Sequence, residues 1–147
     1  MTNDTAAAKR IVVGVDGSPC SILALQRARP IADASQWEID AVAAWQYPSY
    51  LGAGIVGELH PDDDARKFLH DAVEAAFGSD RPEGLEEIVT HGYPSQVLIE
   101  ASAEAEMLVV GSRGHGGFVG LLLGSVSGQC AEHAQCPVLV VHSGDHH

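Results

Sequence analysis

Short apolar runs alternate with helix-periodic segments along almost the whole chain, and that alternation restricts its fold more than any other feature. The first run, Arg10–Val15, stops at Asp16-Gly17-Ser18-Pro19 and is too short for a helix, so it reads as a strand covered on both faces. Ser18 then suits an N-cap with Pro19 at the first helical position, opening a helix to about Ala28 that Pro30 is expected to kink or end. Trp37–Trp45, Leu85–Thr90, Met107–Val110 and Pro137–Val141 read as four further strands. After a loop from Gln46 to His60, Asp62, Asp63 and Asp64 suit the positive end of a helix. Its apolar stripe is Ala65, Phe68, Leu69, Ala72, Val73, Ala76 and Phe77. Pro94–Ala103 and Ser125–Ala134 supply the last two helices. Strict alternation forces parallel pairing through right-handed crossovers, with helices on both faces of an open five-stranded sheet. The expected class is a doubly wound α/β fold forming a single domain over residues 1–147, with 1–8 and 143–147 as flexible tails.

Charge removes several function classes. Twenty acids against eight Lys and Arg give a formal net charge of −12, which repels phosphodiester backbones and anionic lipid surfaces, so neither nucleic acid nor membrane is expected as a partner. MTNDTAAAKR has no apolar core of signal-peptide length and no run of 18 apolar residues follows, which predicts a cytoplasmic protein. Cys20, Cys130 and Cys136 form no C-x-x-C pair and read as small buried apolar residues.

The segment Gly111 to Ser125 concentrates the chemistry. Its glycines are Gly111, Gly114, Gly116, Gly117, Gly120 and Gly124, more than one turn requires. Glycines let a ligand approach backbone N–H groups, and a run of such amides forms an anion-binding nest. Gly111 follows a strand, and Gly124 and Ser125 precede a helix whose first amides point into the same loop. No Asp or Glu occurs between Glu106 and Glu132, while Arg113 and His115 lie within the segment, so a phosphate meets no local repulsion. Neither a Walker A lysine motif nor G-x-G-x-x-G is present. A glycine linker without a ligand is the competing reading of composition alone.

Gly111, Gly114, Gly124 and Ser125 match the spacing G-x2-G-x9-G-[ST], and in this the sequence resembles the universal stress protein family. The resemblance extends through Ile11-Val12-Val13-Gly14-Val15-Asp16-Gly17-Ser18 and Cys136-Pro137-Val138-Leu139-Val140-Val141. It implies strand order 3-2-1-4-5, with strands one and four at the switch point where open α/β sheets bind ligands. It also implies an ATP site: Asp16 toward the ribose, Gly14 and Val15 near the base, and Ala44 lining the adenine pocket. Gly114, Gly124, Ser125, Val126 and Ser127 would then supply amides or hydroxyls to the phosphates. Gly111 opens the motif, while Arg113 and His115 stand where the family varies and are added as phosphate contacts. A magnesium ion would be held by the phosphates, with Ser125 or Ser127 as the protein's only oxygens, and an isologous homodimer would form through strand 138–141.

Unaided, Asp16 reads as an Asx-turn capping the first helix, and Ser125 as a helix cap; each role is compatible with ligand contact. His115 is the only acid–base candidate in the glycine segment, which offers neither lysine nor carboxylate, so no catalytic residue is assigned. The leading reading is a regulatory module that binds ATP and signals its occupancy to a protein partner. The alternatives are a slow ATP hydrolase or phosphotransferase, a binder of cyclic AMP or AMP, and a nucleotide-independent interaction protein.

Overall fold

The structure, a computed structural model, describes residues 8–47, 59–113 and 124–143. Its elements follow in the order β1 (Arg10–Gly14), α1 (Pro19–Ser35), β2 (Glu38–Trp45), α2 (Pro61–Phe77), β3 (Glu86–His91), α3 (Pro94–Ser102), β4 (Met107–Gly111), α4 (Ser125–His133) and β5 (Val138–Val141). All strand pairs are parallel, in the order β3-β2-β1-β4-β5, as the alternation and the resemblance predict. At the centre Val13 lies level with Ala41 of β2 and Val109 of β4.

Period-two alternation on β1 divides the core between the two faces. Ile11, Val13 and Val15 join Ile39, Ala41 and Ala43 beneath Leu25 of α1 and Leu69 and Val73 of α2. Val12 joins Val42, Leu108 and Val110 beneath Val97 and Leu98 of α3 and Cys130 of α4. The central strands are therefore apolar at successive positions because each face carries its own pair of helices.

Helix α1 does not end near Ala28 but runs through Pro30 to Ser35. Pro30 and Gln26, whose carbonyl the missing N–H would have met, both lie on the exposed side, where water can satisfy that carbonyl. Ala28 and Ala32 bury the opposite side on both sides of the proline. The helix ends instead at Gln36, which takes a left-handed conformation and bonds back to Ala32 and Asp33. Cys20 and Cys130 are buried as expected, and burial pushes the Cys130 thiol up to about 11. Cys136 departs from expectation: it lies only half-buried in the α4–β5 connection, where desolvation and the Glu106 carboxylate raise its thiol. The expected tails, and most of the loop between β2 and α2, lie outside the described residues. Among the described residues no helix is long and apolar enough to cross a membrane.

At the amino ends of the strands, Arg10 ties three segments together. Its Nε donates to Asp40 at 2.6 Å and Nη1 to Glu38, while Nη2 donates to the carbonyls of Ile39 at 3.1 Å and Gly84 at 2.8 Å. Gly84 has φ +82°, and a Cβ there would stand 2.5 Å from the Glu38 carboxylate, so the close approach requires glycine. Burial raises Asp40 above its ordinary value of 3.8, and the Arg10 charge only partly opposes this. Replacing Arg10 by Met is expected to cost about 2 kcal/mol, less than for a fully buried pair because all three side chains keep some water contact. A raised carboxyl pKa in the folded state favours folding at low pH and loses that contribution as pH rises through the folded value. Without Arg10 the rise is larger, so the deficit of Arg10→Met should be smallest below pH 3.8 and grow above it. Urea denaturation of both proteins across this range measures it; a constant difference would refute the assignment.

Candidate functional site

Strands β1 and β4 are neighbours whose following helices pack on opposite faces, so their carboxyl ends open a cleft at the switch point. On the β1 side the Val15 N–H continues the ladder to the Val42 carbonyl at 2.9 Å. The chain then turns sharply. Asp16 Oδ1 accepts the Ser18 N–H at 2.9 Å, Gly17 takes φ +84°, and Ser18 Oγ accepts the Ser21 N–H at 3.2 Å. The Asx-turn and the cap of α1 are thus both formed, and they hold Asp16 at the mouth of the cleft.

Two glycines proposed as ligand neighbours have internal reasons to be glycine. A Cβ on Gly14 would come 2.6 Å from Leu98 Cδ1 of α3. A Cβ on Gly111 would come 2.8 Å from Cys20 Sγ and 3.1 Å from the Cys20 carbonyl carbon in the first turn of α1. Both bring a helix close to the carboxyl edge of the sheet.

Beyond β4, the Ser112 N–H donates to the Val141 carbonyl of β5 at 2.8 Å, and the buried Cys20 thiol donates to the same carbonyl at 3.2 Å. The Ser112 carbonyl accepts the Gly124 N–H at 2.6 Å and the Ser127 hydroxyl at 2.9 Å. The chain that leaves the cleft at Ser112 therefore returns to it at Gly124, with both ends bonded. Gly124 caps α4 in an extended conformation, without a side-chain bond. The first turn closes with the Gly128 N–H on the Gly124 carbonyl at 2.9 Å, so the amides of Ser125, Val126 and Ser127 have no acceptor within the helix. Those three amides carry the positive end of the helix dipole. Ser125 is exposed, Val126 half-buried and Ser127 buried.

Ala44 is half-buried near the end of β2 on the α3 side. Beside it Trp45 packs tilted on His91, centroids 4.5 Å apart, and edge-on to Tyr47 at 5.7 Å. Arg113 is exposed where the chain leaves the cleft. Gly114 and His115 lie outside the described residues. A separate groove of about 380 Å³ between α2 and β3, lined by Arg66, Leu69, His70, Glu87 and Val89, contains none of the candidate ligand-binding residues. Among the described residues no group of three or more His, Cys, Asp or Glu is placed to hold a metal. Sequence reasoning missed Ser112 and Cys20. Ser112 acts here through its backbone N–H and carbonyl, and its identity carries no signal of that.

Fold and site together define a doubly wound α/β protein whose switch point is built from an Asx-turn, a glycine-capped helix N-terminus and a return loop bonded at its stem. The model of the universal stress protein family matches residues 7–142, and the chain belongs to that family. Universal stress protein Rv2624c of Mycobacterium tuberculosis H37Rv is 32% identical over 143 residues, a stretch covering 92% of this chain and 48% of that protein. The chain thus spans about half the length of that relative. Universal stress protein UspA from Lactobacillus plantarum shares the fold with a TM-score of 0.77 at 21% identity, over 93% of this chain and 99% of that one. A universal stress protein crystallised in complex with cAMP is 31% identical with a TM-score of 0.64, over 95% of this chain and 100% of its own.

Proposed function

We propose that this chain binds an adenine nucleotide across the carboxyl ends of β1 and β4, as a regulatory module of the cytoplasm whose occupancy is read by a protein partner. The observation that carries the reading is the cluster of α4 amides at Ser125, Val126 and Ser127, which no carbonyl within the helix accepts, following the strand next to the one that ends in the Asp16 turn. The absence of acidic residues between Glu106 and Glu132 keeps that end of an otherwise acidic chain receptive to phosphate. In this reading the phosphates meet the α4 amides, Asp16 meets the ribose and Ala44 borders the base. Magnesium arrives on the phosphates of ATP, with the exposed Ser125 hydroxyl as an available oxygen. The cAMP complex of a 31% identical relative favours a second reading, in which a monophosphate is the guest. Calorimetry with ATP, AMP and cAMP, with mass spectrometry of small molecules released on denaturation, tests both. Saturable binding of at least one nucleotide is expected, and binding of none would refute the proposal.

The same reading includes a homodimer through β5. Leu108 and Ser112 donate to the Pro137 and Val141 carbonyls, so the alternation of a parallel ladder turns the backbone groups of Val138 and Val140 outward. These half-buried valines leave an apolar edge that a second copy can pair with by two-fold symmetry. Light scattering at micromolar concentration is expected to give twice the chain mass, and a monomer with and without nucleotide would count against it.

A further inference from the structure

Ser127 is two residues beyond the Gly124-Ser125 pair and was expected to offer phosphate an amide or a hydroxyl. The residue is 2% exposed. The hydroxyl oxygen lies 2.9 Å from the Ser112 carbonyl and 3.2 Å from the Gly124 carbonyl. Both neighbours are acceptors, so the hydroxyl must be the donor, and its single proton is spent inside the protein. An ionised phosphate oxygen also only accepts and cannot share that proton without breaking the bond.

The place of this bond matters more than its strength. The Ser112 carbonyl stands just beyond the end of β4 and the Gly124 N–H just before the start of α4, and the bond between them joins the two stems. By adding a second donor to that carbonyl, Ser127 ties the third residue of α4 to the end of β4. The first turn of α4 is thereby held at two points, Gly124 N and Ser127 Oγ, and two points fix the direction of the Ser125, Val126 and Ser127 amides where one would leave a pivot. A Cβ at Gly124 would stand 3.2 Å from the Ser112 oxygen, which shows how closely the two stems are drawn together.

Resting on the nucleotide reading above, we infer that Ser127 is a positioning residue: its hydroxyl holds the amides of α4 in the orientation that receives phosphate, without touching the ligand. The amide set is then pre-organised, and its contribution to affinity falls when it is allowed to swing. A ligand lacking phosphate does not sense the change.

The experiment compares ATP with adenosine by calorimetry on the full chain. Ser127→Ala is expected to weaken ATP by about tenfold, the scale of one impaired charge-assisted contact, while adenosine changes less than about twofold. Ser127→Thr keeps the hydroxyl and is expected to restore the parent ratio of the two affinities, which a purely packing role would not. Equal loss for both ligands, or an unchanged ATP affinity, in a parent that binds both, would overturn this assignment alone. A parent that binds neither would overturn this assignment, and the nucleotide reading falls with it if AMP and cAMP also fail to bind.

Discussion

Gly124→Glu is expected to reduce nucleotide affinity by at least about a hundredfold, roughly 3 kcal/mol, while the domain stays folded. Gly124 caps α4 with φ −70° and ψ 172°, a conformation open to any residue, so backbone strain does not decide the outcome. Two other effects do. The Cβ would press on the Ser112 carbonyl at 3.2 Å, disturbing the stem of the return loop. The new carboxylate would reach the same helix end as the ligand phosphates, take up the amides of Val126 and Ser127, and repel an incoming anion. Gly124→Ala separates the two, since it brings the Cβ without the charge, and should retain most of the affinity. If calorimetry found the Glu variant binding ATP or cAMP as tightly as the parent, the phosphates would have to sit elsewhere.

Gly111→Val is expected to cost about 3 kcal/mol of stability even without any ligand. The Cβ would lie 3.1 Å from the Cys20 carbonyl carbon and 2.8 Å from its Sγ. The thiol can turn aside, but the backbone of the first turn of α1 can move only if the helix does. That shift would carry with it the Ser18 cap and the Asp16 turn, so nucleotide affinity should also fall. Cys20→Ala in the Gly111→Ala background should recover part of the loss that Gly111→Ala causes, because it removes Sγ and leaves the contacts with the Cβ and the carbonyl carbon of residue 20. Chemical denaturation of the ligand-free proteins measures both, and a Gly111→Val midpoint equal to that of the parent would show that the strand and helix are not in the contact described.

Much of this architecture could be read from the chain because its signals are local. Continuous apolar runs such as Ile11-Val12-Val13 mark strands covered on both faces, and the stripe from Ala65 to Phe77 marks a helix with one buried side. Boundaries were less legible. Pro30 carries a strong local signal to stop a helix, yet α1 continues for five residues beyond it, because the side chains of Ala28 and Ala32 are buried against the sheet while the proline faces water.

The site divides in the same way. Residue types in sequence determined that a glycine-rich, acid-free segment lies between the fourth strand and the fourth helix, and that Asp16 closes the first strand in a turn. Glycine spacing alone does not separate the reasons for a glycine. Only the tertiary structure decided that Gly14 makes room for Leu98 and Gly111 for Cys20, since those partners are far away in sequence. It also decided that the Ser127 hydroxyl serves the Ser112 carbonyl. A backbone acceptor is present at every residue and leaves no mark in the sequence, so which carbonyl gathers two donors depends wholly on how the strands and helices come together.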